Sequence, residues 1–460
     1  MHHQKLTLTD SIVLVVTLTL TLSLLNSAIL RQRSVARSES CSNRLKQIGL
    51  AIHNYHAAYN MLPPGLSGSE GGTDSQSNQG RLGPLVAMLP FLEQQKLWET
   101  ISNRSVGANT QTPFARMGPA PWYDPSDYLP WASMPASLIC PENGNPAPAS
   151  SKSPKIVTSW DQLATELTAT GLHATNYVAC FGDGTQRQGK KGARTSPADA
   201  MEARASQRGV FTSHQIMRIR DILDGTSYTL MYSEAVSDSK AENSLAKIAA
   251  NVAGLSQNPS LCLSVDRKSH RDWFEASRGS RWADGALVIT GFQTVLPPNS
   301  PSCLSEIGLE EPIASASSHH AGGVHVLFAD GRVAFVANEI DCGSLTSPGV
   351  GLGKGYTQPG SKSPYGVWGG LGSRASKETP ALEPHVLPIA IPAFTQRVPL
   401  ETWKDNTGKK QLAAKFVRVI DKATVELEGH DGNIYRLPLN SFSNSDILRA
   451  VKRSVAGKSE

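Results

Sequence analysis

The chain predicts an α+β protein: one long N-terminal helix, a loop-rich body built on short β-strands, and a small β-barrel at the C-terminal end. Three observations carry this reading. An uncharged run from Ser11 to Leu30 continues into an amphipathic stripe, with no helix breaker before Pro63-Pro64. The 460 residues include 39 Gly and 29 Pro, a little above their usual combined share of ~12%, which favours a strand-and-loop body over a helical bundle. The segment Gln396–Glu460 holds three strand-like runs divided by turn residues.

The helix comes first. Twenty uncharged residues rise about 30 Å as an α-helix, the thickness of a bilayer's hydrocarbon core. Leu and Thr alternate within the run, but a lone strand in lipid would leave its backbone unpaired, so helix is favoured. Beyond Leu30, residues Cys41, Leu45, Ile48, Ile52, Tyr55 and Tyr59 recur three or four apart, one stripe on a helix. A single helix from Thr9 to about Met61 would be roughly 80 Å long, its first half in lipid and its second packed on a globular body. The apolar segment could instead be a secretory signal cleaved near Asn26-Ser27-Ala28. Lys5 precedes the span and Arg31, Arg33 and Arg37 follow it, a charge bias that by itself would hold the bulk of the chain in the cytoplasm.

In the body, Gly65–Gly80 is a polar loop and Leu85–Thr100 a short amphipathic helix interrupted at Pro90. Asn176–Cys180 reads as a strand followed by the turn Gly182-Asp183-Gly184. Arg218–Ser233 reads as a turn at Asp224-Gly225 with a strand after it. The clearest local signal is Asp330-Gly331 between two alternating runs, Val324–Ala329 and Val333–Val336; it predicts a β-hairpin on a type I′ turn, with positive φ at both central residues. The aromatics of Tyr365-Gly-Val-Trp368 suggest packing within the glycine-rich Gly349–Gly372. Residues 373–395, with prolines through Thr379–Phe394, read as an extended linker. Strands are expected at Gln411–Ile420, Ala423–Glu428 and Asn433–Leu439, then a short helix opened by a capping box at Ser443–Asp446.

Composition excludes several classes. The net charge is +5, of which Gln396–Glu460 carries most, and no long like-charged run exists, so nucleic acid finds little to bind. Six cysteines stand singly with no C-x-x-C, which argues against a zinc ribbon. Disulfides are permitted, with 15 possible pairings for six cysteines; buried free thiols are the alternative. No nucleophile elbow, phosphate loop or HExxH is present.

The start Leu6-Thr7-Leu8-Thr9-Asp10 resembles a type IV prepilin-like N-terminus, with Lys5 where a small residue is usual and Asp10 in place of Glu; Lys5, Leu6 and Asp10 would be the processing residues. Other blocks, in order, are Cys41–His56, Leu89–Gln94, Cys140-Pro141, Asp224–Ser227 with Ser233-Glu234, Trp282–Gly285, and His320 followed nine residues later by Asp330-Gly331. Together they resemble a bacterial prepilin-like family of unknown function named for that His-x9-Asp-Gly signature. The resemblance implies a pilin-like fold, a long helix against an antiparallel sheet, and export despite the arginines after the span. It supplies no activity.

The tail, through Trp403–Gly408, Phe416-Val417, Val425–Leu427, Asp431-Gly432 and Leu437–Leu439, resembles the SH3-like homology domain of a eukaryotic endocytic adaptor, which binds Asn-Pro-Phe peptides. That implies a protein- or peptide-binding module with Trp403 and Phe416 in its core. The expectation is therefore a single-pass membrane protein with most of the chain extracytoplasmic: residues 1–30 the membrane segment, 31–372 the pilin-like domain, 373–395 the linker and 396–460 the SH3-like module. It would be a pseudopilin-like structural or secretion-associated protein without enzymatic activity, cofactor or bound metal, contacting membrane and protein partners. The rival reading is an extracytoplasmic hydrolase in which His320 and Asp330, with Glu234 or His319, form a catalytic group. Asp183, Asp224, Asp284 and Asp330, each beside a glycine, are the candidates for calcium.

Overall fold

A computed structural model describes residues 8–133, 135–142, 174–189, 196–213, 215–237, 244–266, 269–379, 386–388, 401–407, 411–420, 424–429, 434–443, 446–447 and 450. Helix α1 runs unbroken over Leu8–Tyr59, about 78 Å at 1.5 Å per residue, close to the expected bounds. For residues 8–31 the backbone alone is described, so Lys5, Leu6 and the Asp10 side chain lie outside the description. Among the described residues no helix is long and apolar enough to cross a membrane.

The second half of α1 explains the stripe. Cys41, Leu45, Ile48 and Ile52 are fully buried, and Tyr55 nearly so. Tyr59 departs from the expected stripe: it is exposed, with its ring tilted against Tyr55 and edge-on to Phe91. Each buried aliphatic contributes about 1.5–3 kcal/mol. Helix α2 (Pro84–Met88), a 3-10 turn and α3 (Gln95–Ser102) follow, then the paired two-residue strands β1 (Ser105–Val106) and β2 (Pro113–Phe114). The interruption falls at the predicted place, where Pro90 and the left-handed Glu93 break the turn.

The central sheet has six strands in the order β11-β10-β9-β4-β3-β6. These are β3 (Tyr177–Cys180), β4 (Leu230–Glu234), β6 (Gly291–Phe292), β9 (Gly323–Phe328), β10 (Val333–Ala337) and β11 (Val386–Pro388). All neighbours are antiparallel except β3 and β6, which are parallel, so the sheet is mixed rather than antiparallel as expected. Both faces are covered. Leu327 and Val333 join the core under α1, where Gly49 lets the helix sit directly on Leu327. Val324, Val326 and Phe328 face a second core with Trp368. Alternation along β9 thus separates two buried faces, which is why every residue of the strand is buried.

The hairpin forms, but its turn differs from expectation. Gly331 alone has positive φ, at +88°. Gly331 N–H donates to Phe328 O, and Phe328 N–H to Arg332 O, the three-residue loop in which a right-handed turn ends on a left-handed glycine. The body also continues past Gly372: the Arg374 guanidinium donates to the carbonyls of Gln207 and Gly209, Ser376 bonds Asp224, and Val386–Pro388 forms the sheet's edge strand. These residues had read as linker.

A second sheet joins β5 (Ile248–Ala249), β7 (Ser302–Ser305) and β8 (Gly308–Ile313), fastened by the Cys262–Cys303 disulfide. At the C-terminal end β12 (Glu401–Lys404), β13 (Gln411–Ile420), β14 (Thr424–Gly429) and β15 (Ile434–Pro438) form an antiparallel meander. It has one strand more than expected, and among the described residues it is an open sheet, not a closed barrel. A single bridge, Asp405 to Phe442, ties its two ends. Trp403 is fully buried, stacks on Phe416 and meets Phe442 edge-on.

Candidate functional site

The densest polar chemistry lies where α1 meets the central sheet. Glu234 ends β4 and is fully buried. Its Oε1 lies 3.1 Å from His320 Nε2; its Oε2 lies 3.1 Å from His325 Nδ1 and accepts the His325 backbone N–H at 2.9 Å. One carboxylate therefore serves two imidazoles, whose rings meet edge-on at 4.6 Å. His325 Nε2 reaches Ser38 on α1 at 3.1 Å.

The Cys41–Cys140 disulfide ties α1 to the Cys140-Pro141 loop beside this group. Cys140 Sγ lies 3.8 Å from His320 Nε2 and 3.9 Å from Glu234 Oε1. Asn176 Oδ1 accepts the Cys140 N–H, while its amide donates to Ala235 O and Ser237. Arg37, one turn before Cys41, pairs with Glu142 at 2.9 Å. Covalent bond, ion pair and buried hydrogen bonds converge on one turn of helix.

Electrostatics follow from that geometry. Burial would raise the Glu234 carboxyl; the charge on His325, hydrogen bonds from both imidazoles and the charge on His320 outweigh it and bring the group down to about 2. His320 moves the other way. Burial disfavours its charged form, but the hydrogen bond and charge of Glu234, with a contribution from Glu142, raise it above its ordinary value. A hollow of about 10 Å³, room for about one water, opens beside the group, lined in part by Cys140, Glu234, Ser317, Ser318 and His319. That is small against the 300–1,000 Å³ typical of organic-ligand sites.

The structure separates the pair that sequence reading had joined. His320 precedes β9 and Asp330 follows it, roughly 17 Å of strand apart. Asp330 accepts the Arg332 N–H at 2.9 Å within its own turn. The partner of His320 in the structure is Glu234, which the sequence offered as a further member of the group, with His319 exposed at the rim. Gly331 supplies the turn conformation. The calcium candidates are scattered among other partners: Asp183 faces Arg208, Asp224 caps Ser376 and Lys377, and Asp284 holds Arg81 through both oxygens.

Sequence reading did not single out His325, Ser38 or Asn176. A histidine inside an otherwise apolar alternating strand was the available signal, since a buried titratable ring needs a partner. Cys180 and Cys342 are free and buried, with burial pushing each thiol up to about 12, so neither is poised to react.

These features define an α+β protein whose long N-terminal helix is locked to a mixed sheet by a disulfide and a buried Glu–His group. A family model described as a protein of unknown function, DUF1559 (SBP_bac_10), matches residues 31–343, more than half of the chain. The chain belongs to that family. No curated protein and no solved structure matches it.

Proposed function

We propose that this is a membrane-anchored, pseudopilin-like structural or secretion-associated protein without enzymatic activity, carrying a C-terminal protein-interaction module. The observation that carries the reading is α1: one 52-residue helix whose first half has an uncharged sequence from Ser11 to Leu30 and whose second half is fastened to the sheet. A helix held rigidly at one end can project an apolar segment into lipid or against neighbouring copies. Two disulfides fit an oxidising, extracytoplasmic location for the body. The helix-on-sheet packing fits a pilin-like arrangement. The four-stranded meander, tied end to end by the Asp405–Phe442 bridge, fits an SH3-like module that contacts a protein or peptide. The small hollow beside Glu234 favours a structural role over a hydrolytic one.

Fractionation tests the anchor. Full-length chain should remain in the membrane pellet after alkaline extraction, and deletion of residues 2–30 should release it; a freely soluble full-length chain overturns the reading. Intact mass then tells the fate of the N-terminus. A start at Leu6 bearing an N-methyl group supports prepilin-type processing, whereas a start near Ile29 makes the segment a cleaved signal. Turnover of ester, glycan or peptide substrates that is lost in His320→Ala would replace the structural reading with a catalytic one.

A further inference from the structure

The fastening of α1 has a second possible occupant. Cys41 and Cys140 Sγ, His320 Nε2 and Glu234 Oε1 lie within 4.8 Å of one another, and all four residues are buried. Donors bound to one tetrahedral zinc, with Zn–S of about 2.3 Å and Zn–N or Zn–O of about 2.0 Å, stand roughly 3.3–3.8 Å apart. The separations here are 3.1 Å for His320 to Glu234, 3.8 Å for Cys140 to His320 and 3.9 Å for Cys140 to Glu234. The His320–Glu234 pair stands just inside that range and would open slightly around an ion; the two sulfurs, joined as a disulfide, are far closer than that geometry needs. Breaking the S–S bond would let them part to van der Waals distance while both side chains keep their backbone positions.

We propose that in its dithiol state this cluster binds one zinc ion through Cys41, Cys140, His320 and Glu234, so that metal and disulfide are alternative fastenings of α1 to the sheet. Two thiolates with an imidazole and a carboxylate form a donor set suited to zinc and poor for calcium or magnesium. The surrounding groups are those a metal site uses to hold its ligands. Glu234 Oε2 is held by the His325 backbone N–H and imidazole, and the Cys140 N–H is held by Asn176. A dithiol reductant attacks one cysteine sulfur, forming a mixed disulfide; its second thiol displaces that sulfur, leaving two cysteine thiols and the reductant's disulfide. Zinc then displaces the two thiol protons.

The test uses full-length chain in detergent, reduced with a phosphine and titrated with cobalt(II) as the spectroscopic stand-in for zinc. One equivalent should give thiolate-to-cobalt charge transfer and the visible bands of a tetrahedral ion, both erased by zinc. Zinc should also protect Cys41 and Cys140 from alkylation, mapped by mass spectrometry. The bands should persist in Cys262→Ser/Cys303→Ser and vanish in Cys41→Ser/Cys140→Ser. His320→Ala and Glu234→Gln, which keep both cysteines and can be folded oxidised before reduction, should each weaken cobalt binding at least tenfold. Absence of the bands in reduced wild-type chain that keeps its helical circular dichroism overturns the proposal. So does reduced chain that unfolds and is not restored by zinc. Bands that survive loss of Cys41 and Cys140, or binding unchanged in both His320→Ala and Glu234→Gln, also overturn it.

Discussion

The junction of α1 with the central sheet and the C-terminal meander solve the same problem in opposite ways. At the junction a buried carboxylate, two imidazoles and a disulfide sit among apolar side chains. In the meander the centre is Trp403 with Leu412, Val425, Leu427, Tyr435 and Phe442, and an ion pair among the described residues, Arg436 with Glu426, buries the carboxylate but leaves the arginine partly exposed. Apolar burial is tolerant of small shifts. A charged hydrogen-bonded group is not, because each unmet partner bears the full desolvation penalty. The contrast implies that the junction specifies one docking of α1 through buried charge, while the centre of the meander rests on apolar volume and pattern, with its buried carboxylates Glu426 and Asp446 at the periphery of that centre.

The sharpest way to break that contrast is to remove one shared acceptor. Glu234→Ala leaves both imidazoles and the His325 N–H without their carboxylate, and should cost about 3–5 kcal/mol, the range for breaking a buried ion pair. Denaturant unfolding of the body measures it. Trp403→Ala should cost a similar ~3–5 kcal/mol by cavity formation, but confined to the meander. Hydrogen exchange should then show peptides of Gln411–Gly429 losing protection while those of Gly323–Ala337 keep theirs; joint loss would show that the two regions unfold together.

The two disulfides sharpen the comparison within the body. Cys41–Cys140 closes a separation of 99 residues and Cys262–Cys303 one of 41. Removing either, as paired alanine variants, should cost about 2–5 kcal/mol, with loop length alone making the first costlier by about 0.8 kcal/mol. A much larger gap would mean that the first disulfide also positions the Glu–His group. Chemical denaturation of the two variants against wild type decides.

Acid should act on the junction of the disulfide-bonded protein and spare the meander's aromatic core. Glu234 is depressed on folding, so its contribution is fully present above the ordinary carboxyl value near 4.5 and is lost as pH falls towards about 2. His320 is raised on folding, so its contribution is full below the ordinary histidine value and fades as pH climbs through its folded value. Melting temperature of the body should therefore peak in mildly acidic solution. In Glu234→Gln the acid limb near pH 2–4 should flatten.

How much of this was legible follows the range of each interaction. Helix α1, the Asp-Gly hairpin and the C-terminal strands were legible because their causes are local: a periodic stripe, a turn pair, alternation. His320 was also legible as special, but the sequence paired it first with Asp330, ten residues ahead, and offered Glu234 or His319 only as further members; the structure makes Glu234, 86 residues behind, its direct partner. Nothing in spacing carries that information; strand order β9 beside β4 does. The Cys41–Cys140 pairing was hidden for the same reason. With the fold in hand, the separate blocks at Cys41, Cys140, Ser233-Glu234 and His320 become one place.

The smallest effect tests the other half of the His-x9-Asp-Gly signature. If the signature were one chemical unit, its Asp-Gly end should matter as its histidine does. The structure instead gives that end a backbone task. Gly331 sits at φ +88°, and a Cβ there would meet nothing closer than His53 at 3.9 Å. Gly331→Ala therefore has room, and its cost is the left-handed conformation alone, about 1–2 kcal/mol. Asp330→Ala removes one exposed hydrogen bond to the Arg332 N–H, worth about 0.5–1.5 kcal/mol. Thermal unfolding should show both as small shifts, no more than about 4 °C for Gly331→Ala, with the Glu234–His320 contact intact. A collapse of the body on Asp330→Ala, comparable to Glu234→Ala, would mean that the two ends of the signature are coupled through β9.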